Sequence, residues 1–175
     1  TATGAQPGTE TTDGSGAVRF SGTAGSQYLV QPKGSELSPL AVNVRTIRPA
    51  PAAGYLAVGP KQFAAAIEAL ITARNAEGLN AVFVDQEELF DTFAFGRYGP
   101  GGIQAAVRAV QPQYLLLVGR SIYDYHNYDG VNADPLCPTI LISTSFFAQA
   151  PADALYGDLG AGYPQLCVGR FPVNT

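Results

Sequence analysis

The sequence predicts an α/β fold: a mostly parallel four-stranded sheet flanked by helices, preceded by a short β segment. Three observations carry that prediction. Residues 114–119 (YLLLVG) place five apolar or aromatic residues in a row and close on glycine, the pattern of a strand buried on both faces inside a parallel sheet. Between Gly54 and Val84, an apolar strand, an amphipathic helix and a second apolar strand follow one another. Segments of those lengths imply a crossover and a parallel pair. The third observation is the polar, tyrosine-rich stretch from Arg120 to Tyr128. It leaves the carboxyl end of the central strand, where open α/β sheets bind ligands.

Taken in order, residues 1–16 are rich in Thr, Gly and Ser with almost no apolar content, and read as a flexible linker or tail. Residues 17–53 hold short strand signals at Val18 and Phe20, at Tyr28–Val30, and at Leu40, Val42 and Val44, then a proline-spaced connector from Arg48 to Gly54. Three short strands do not make an independent domain, so this stretch reads as the tail of an upstream β module. The α/β part is expected over 54–175. Its first strand is Tyr55–Val58. Pro60 suits the first position of a helix, and Phe63, Ile67, Leu70 and Ile71 give that helix one apolar stripe. Gly78 fits a left-handed helix end. Ala81–Val84 is the second strand, with Asp85 at its exit. An acidic-aromatic segment, Glu87–Gly96, reads as one helical turn and a loop. Pro100 opens a further helix with Ile103, Val107 and Val110 on one face, stopped before Pro112. After the 114–119 strand, Pro138–Ser143 is expected as the fourth strand. Residues 153–160 and 165–171 read as two short strands about a glycine-rich turn. The chain ends at Thr175 with no closing helix, so the fold is expected to continue past it.

Composition narrows the functional classes. Of 175 residues 46% are hydrophobic and 14% charged, with a net charge of −4. That balance, with no basic cluster, argues against nucleic acid. No window reaches the ~18 to 20 apolar residues of a membrane span. The two cysteines, Cys137 and Cys167, allow at most one internal disulfide, and only if their strands lie close.

His126 is the sole histidine. Its neighbours Tyr123, Asp124, Tyr125 and Asn127 are able to orient it as a base, and either cysteine is a formal nucleophile. The ordinary reading is better for all three: a polar loop residue, and two thiols in apolar surroundings acting as small hydrophobes. Gly99-Pro100-Gly101-Gly102 precedes a helix but lacks the phosphate-loop lysine and spacing. Asp124, Asp129 and Asp134, like Asp153 and Asp158, are spaced by five. Oxygen-rich loops of this kind can hold calcium, although turn aspartates are common because their side chains bond nearby N–H groups. No cofactor-binding or metal residue is assigned.

Four stretches, in order, carry a family resemblance. They are Gly54–Val58 running through Phe63 to Ala73–Leu79; Val82–Asp85 with Leu89–Gly96 and Ile103; Gln113–Gly119 with Tyr123, Asp124, Asn127 and Tyr128; and Pro138-Thr139 with Ala152–Leu159 and Val168–Val173. Together they resemble the amino-terminal part of the catalytic domain of gingipain-like cysteine peptidases. The resemblance implies a caspase-like fold in two subdomains, of which this is the first. In that family the catalytic histidine and cysteine both follow the Gly-Arg-x-Pro-Val stretch, here Gly169–Val173. It therefore implies that neither member of the dyad lies in this chain, that no residue here is catalytic, and that His126, Cys137 and Cys167 stay outside the dyad. It further implies a parent that is a secreted or cell-envelope hydrolase acting on peptide or protein, partnered by its own downstream catalytic subdomain. Two other readings stand beside it. One is a binding module with Tyr123, Tyr125 and Tyr128 as its recognition loop; the other is a flavodoxin-like small-ligand domain using the strand exits after Val58 and Val118.

Overall fold

In a computed structural model the chain divides into two units, Thr1–Asn43 and Val44–Thr175. The structure describes residues 11–12, 18–19, 23–25, 27, 49–125, 127–130 and 136–174. In the first unit, β1 (Thr11–Thr12) pairs antiparallel with β2 (Val18–Arg19). β1 falls within the stretch read as a tail. The strands expected at Tyr28–Val30 and Leu40–Val44 lie outside the described residues.

The second unit is built on a four-stranded parallel sheet. Its strands are β3 (Tyr55–Gly59), β4 (Ala81–Asp85), β5 (Tyr114–Val118) and β8 (Cys167–Phe171), in the spatial order β4-β3-β5-β8. Register is continuous: Leu56 lies beside Val82 and Leu115, and Leu115 beside Val168. Alternate residues point to opposite faces. Leu56, Val58, Leu115 and Leu117 pack with Leu89, Phe90, Ile103, Ala106 and Val107 from α2 (Gln86–Ala94) and α3 (Pro100–Val110). Ala57, Leu116 and Val118 face the other way, onto Phe63, Ile67, Leu70 and Ile71. Those last residues belong to a 3₁₀ turn (Lys61–Phe63) and to α1 (Ala64–Ala76). The two crossovers thus cover opposite faces, which is the doubly wound arrangement.

Local chemistry explains most element ends. The helical stretch after β3 opens one residue later than expected: Pro60 is the N-cap of the 3₁₀ turn and has extended ψ. α1 closes on Gly78 at φ +80°, with Leu79 N–H bonded to Arg74 O, the left-handed end the glycine implied. α2 is a full nine-residue helix, where one turn was expected. Its start was written in Asp85, whose carboxylate accepts the Glu87 N–H at 3.2 Å, and in Glu87 and Glu88, which suit the positive end of the helix.

The fourth strand of the sheet differs from expectation. Residues 138–143 do not join it; Leu141–Ile142 (β6) instead pairs antiparallel with Ala150–Pro151 (β7) in a separate hairpin. β8 fills the place beside β5. Pro138 has no N–H for a ladder, and side chains hold its carbonyl, as set out below. β8 also carries the alternation of an edge strand, not an unbroken apolar run: Val168 and Arg170 are half-buried, while Cys167, Gly169 and Phe171 are exposed. Asp153–Gly157, expected as a strand, is a 3₁₀ helix that buries Tyr156 completely.

Candidate functional site

The carboxyl ends of β3 and β5 pack against each other. A side chain at Gly59 would put Cβ 2.5 Å from Val118 O. Gly119 turns the chain at φ +118°, where a Cβ would lie 2.9 Å from that of Leu136. At Gly59 the tight backbone approach, and at Gly119 also the positive φ, require glycine. These exits serve as close-packed joints, which disfavours the small-ligand reading that relied on them. Gln86, buried at the start of α2, donates from Nε2 to Leu136 O at 2.6 Å, tying the β4 exit to the same segment.

Beside this joint, Arg170 of β8 collects the surrounding chain. Nε and Nη2 donate to the two oxygens of Asp153 at 2.6 and 2.8 Å. Nη1 donates to Gly119 O at 2.8 Å and Cys137 O at 3.0 Å, and Nη2 also donates to Pro138 O at 2.9 Å. All five guanidinium donors are used. Thr139 Oγ1 donates to Asp153 at 2.5 Å, and the buried Tyr156 hydroxyl donates to Pro138 O at 2.9 Å. Burial works against the Asp153 carboxylate, but the bonds from Arg170 and Thr139 prevail and hold its carboxyl below the usual range. For Arg170 the shift runs upward: burial works against the charged guanidinium, but the bonds to Asp153 and the neighbouring negative charge outweigh it. The group orders residues 136–140 and anchors β8; it presents no nucleophile or general base to a substrate.

The tyrosine loop is organised by Asp124. Its two oxygens accept the N–H groups of Tyr128 and Asp129 at 2.8 and 2.7 Å. Tyr123 donates its hydroxyl to Asp129 at 2.5 Å, and this bond raises the Tyr123 pKa. An open cleft of about 380 Å³ lies here, lined by Tyr123, Asp124, Tyr125, Tyr128, Asp129, Leu141 and Gln149. The sequence pointed to the tyrosines and aspartates. It gave no sign of Leu141 and Gln149, which the unforeseen hairpin brings in.

The other candidates do not converge. Both cysteines are free. Cys137 is 0% exposed, its N–H is bonded to Arg120 O, and burial pushes its thiol up to about 11. Cys167 is exposed at the opposite end of the sheet, level with Tyr114. Five residues of strand, roughly 16 Å, separate the Tyr114 level from the Gly119 exit that Cys137 abuts. His126 and Asp134 lie outside the described residues. Among the described residues no group of three or more His, Cys, Asp or Glu is placed to hold a metal. Asp158 binds the N–H groups of Gly160 and Gly162 as a turn aspartate. Gly99-Pro100-Gly101-Gly102 is a helix start, with Pro100 at its first turn.

The comparisons with known proteins meet this geometry. The crystal structure of dimeric latent PorU from Porphyromonas gingivalis shares the fold, with a TM-score of 0.57 and 19% identity. The match covers 70% of this chain and 14% of that one, so the chain spans a small part of PorU's length. No curated protein sequence matches. The profile of peptidase family C25 covers residues 48–175, the whole described α/β unit with its Asp153–Arg170 anchor, and the chain therefore belongs to peptidase family C25, the gingipain family.

Proposed function

We propose that this chain is the amino-terminal, structural part of a gingipain-like cysteine endopeptidase and does not hydrolyse peptides by itself. The observation that carries the proposal is the placement of the thiols. Cys137 is sealed in the core with its pKa raised, the opposite of an activated thiolate. Cys167 stands at the amino edge of a parallel sheet, away from the carboxyl ends where such folds do chemistry.

In this reading the working histidine and cysteine belong to polypeptide beyond these residues. There the histidine takes the thiol proton and the thiolate adds to the scissile carbonyl carbon. The C–N bond then breaks as the histidine returns that proton to the leaving amine, and water cleaves the thioester. The sheet described above serves as a platform. Its β8 exposes Cys167, Gly169 and Phe171 on one face, a surface suited to being covered by the rest of the enzyme. We assign the substrate as peptide or protein, and the setting as secreted or cell-envelope, on family grounds; no helix among the described residues is long and apolar enough to cross a membrane. The domain boundary at the proline-spaced connector before Gly54 is part of the same proposal.

The test is hydrolysis of a set of fluorogenic peptides by the 175-residue chain, with and without iodoacetamide. No thiol-dependent cleavage is expected. Cleavage that iodoacetamide blocks and that His126→Ala abolishes would overturn the reading.

A further inference from the structure

We propose that Arg120 binds a carboxylate of a peptide laid over the carboxyl end of the parallel sheet. The topology points to this place. From β3 the chain moves to β4 on one side, and from β5 to β8 on the other, so the strand order reverses between β3 and β5. Open α/β sheets bind ligands outside the carboxyl ends of the strands at such a reversal. Gly59 and Gly119 close the joint itself, so the ligand lies over it, not inside it. Arg120 is the first residue past that joint.

The Arg120 backbone is engaged on both sides. Its N–H donates to Val173 O at 3.1 Å, and its carbonyl accepts the N–H groups of Leu136 and Cys137 at 3.3 and 3.0 Å. Its side chain is not. It is half-buried, its Nε is buried with no partner, and among the described residues no carboxylate pairs with it. The partly buried Arg74 and Arg170 each have an acid, Glu77 and Asp153. Holding a guanidinium partly out of water without an anion is unfavourable. A carboxylate, whose two oxygens match the guanidinium edge, relieves it.

A second unused atom stands at the β4 exit. Gln86 is 4% exposed, and its Oε1 has no partner although Nε2 donates to Leu136 O. Leu136 N–H in turn donates to Arg120 O, so one residue links the two. A peptide supplies what each lacks, a carboxylate for Arg120 and a backbone N–H for Gln86. A bare anion supplies only the first, and this favours a peptide over a free anion.

The test follows the Arg120 Nε–H signal of the 175-residue chain by NMR, the signal being identified by its loss in Arg120→Gln. It needs no turnover, so its failure is distinct from failure of the peptidase reading. Four probes are titrated. Acetyl-Ala-Gln-Ala-Glu-Ala-amide carries a side-chain carboxylate, and acetyl-Ala-Gln-Ala-Gln-Ala a terminal one. Acetyl-Ala-Gln-Ala-Gln-Ala-amide carries neither, and sodium acetate is the bare anion. A saturable shift is expected with at least one of the first two, and which of them gives it names the source of the carboxylate. Read from backbone amide shifts, Arg120→Gln should weaken that peptide by at least about tenfold. Arg97→Gln, at an exposed arginine, should leave it unchanged. The proposal is overturned if neither carboxylate peptide saturates into the millimolar range, or if the uncharged peptide shifts the signal equally. Acetate binding as tightly as the peptides, or wild-type affinity in Arg120→Gln, would also overturn it.

Discussion

Arg170 grips Asp153 with two hydrogen bonds, 2.6 and 2.8 Å long, and spends its remaining donors on the carbonyls of Gly119, Cys137 and Pro138. The pair links β8 to the 3₁₀ helix at 153–157 and to the chain leaving β5. Lysine keeps the charge but cannot form the fork or reach five acceptors. Arg170→Lys should therefore lower stability by about 3 kcal/mol, read as a reduced urea midpoint at unchanged slope.

The Asp153 carboxyl has a folded-state pKa below its unfolded one. Its contribution is then present above the ordinary carboxylate range, about pH 4, and lost as pH falls through the lowered folded value. Thermal melts from pH 7 down to 2 should show a steep acid limb. Asp153→Asn should flatten that limb and start from lower stability at pH 7.

How much of this was legible in the sequence depends on the kind of signal. Apolar runs at 55–58, 81–84 and 114–118 and the α1 stripe from Phe63 to Ile71 were readable because burial writes periodicity into the chain. The fourth strand was misplaced because apolar density at Ile140–Ile142 outweighed the weaker alternation of Cys167–Phe171. What settled the matter was polar: a carbonyl at Pro138 claimed by Arg170 and Tyr156, 32 and 18 residues away. Pairings at such separations leave no local pattern. Asp153 and Arg170 each stood in a family-like stretch, but nothing in either stretch named the other. The cleft was half legible for the same reason, its tyrosines being local and its hairpin wall not.

Thiol chemistry should separate the two cysteines. In the native chain one equivalent of an aromatic disulfide reagent should react promptly, at Cys167, and the second only in denaturant, because Cys137 is fully buried. The raised Cys137 pKa has a further consequence. The unfolded thiol ionises near 9 and the folded one near 11, so stability should fall as pH rises across that window. Cys137→Ala should reduce the alkaline loss, leaving the part that comes from the buried Tyr98 and Tyr156 hydroxyls, while costing core packing.

Tyr156→Phe deletes one buried bond to Pro138 O. Arg170 still serves that carbonyl, so the cost should be modest, about 1 kcal/mol. A loss above about 3 kcal/mol by urea denaturation would mean that the hydroxyl, not the guanidinium, is the main brace for residues 136–140.

The central claim is that these residues are a platform whose working thiol lies elsewhere in the polypeptide. The most direct test is to treat a polypeptide carrying these residues together with the downstream region the account proposes with a peptidyl chloromethyl ketone, and to locate the adduct by mass spectrometry. The account predicts modification of a cysteine outside residues 1–175. An adduct on Cys137 or Cys167 would contradict it.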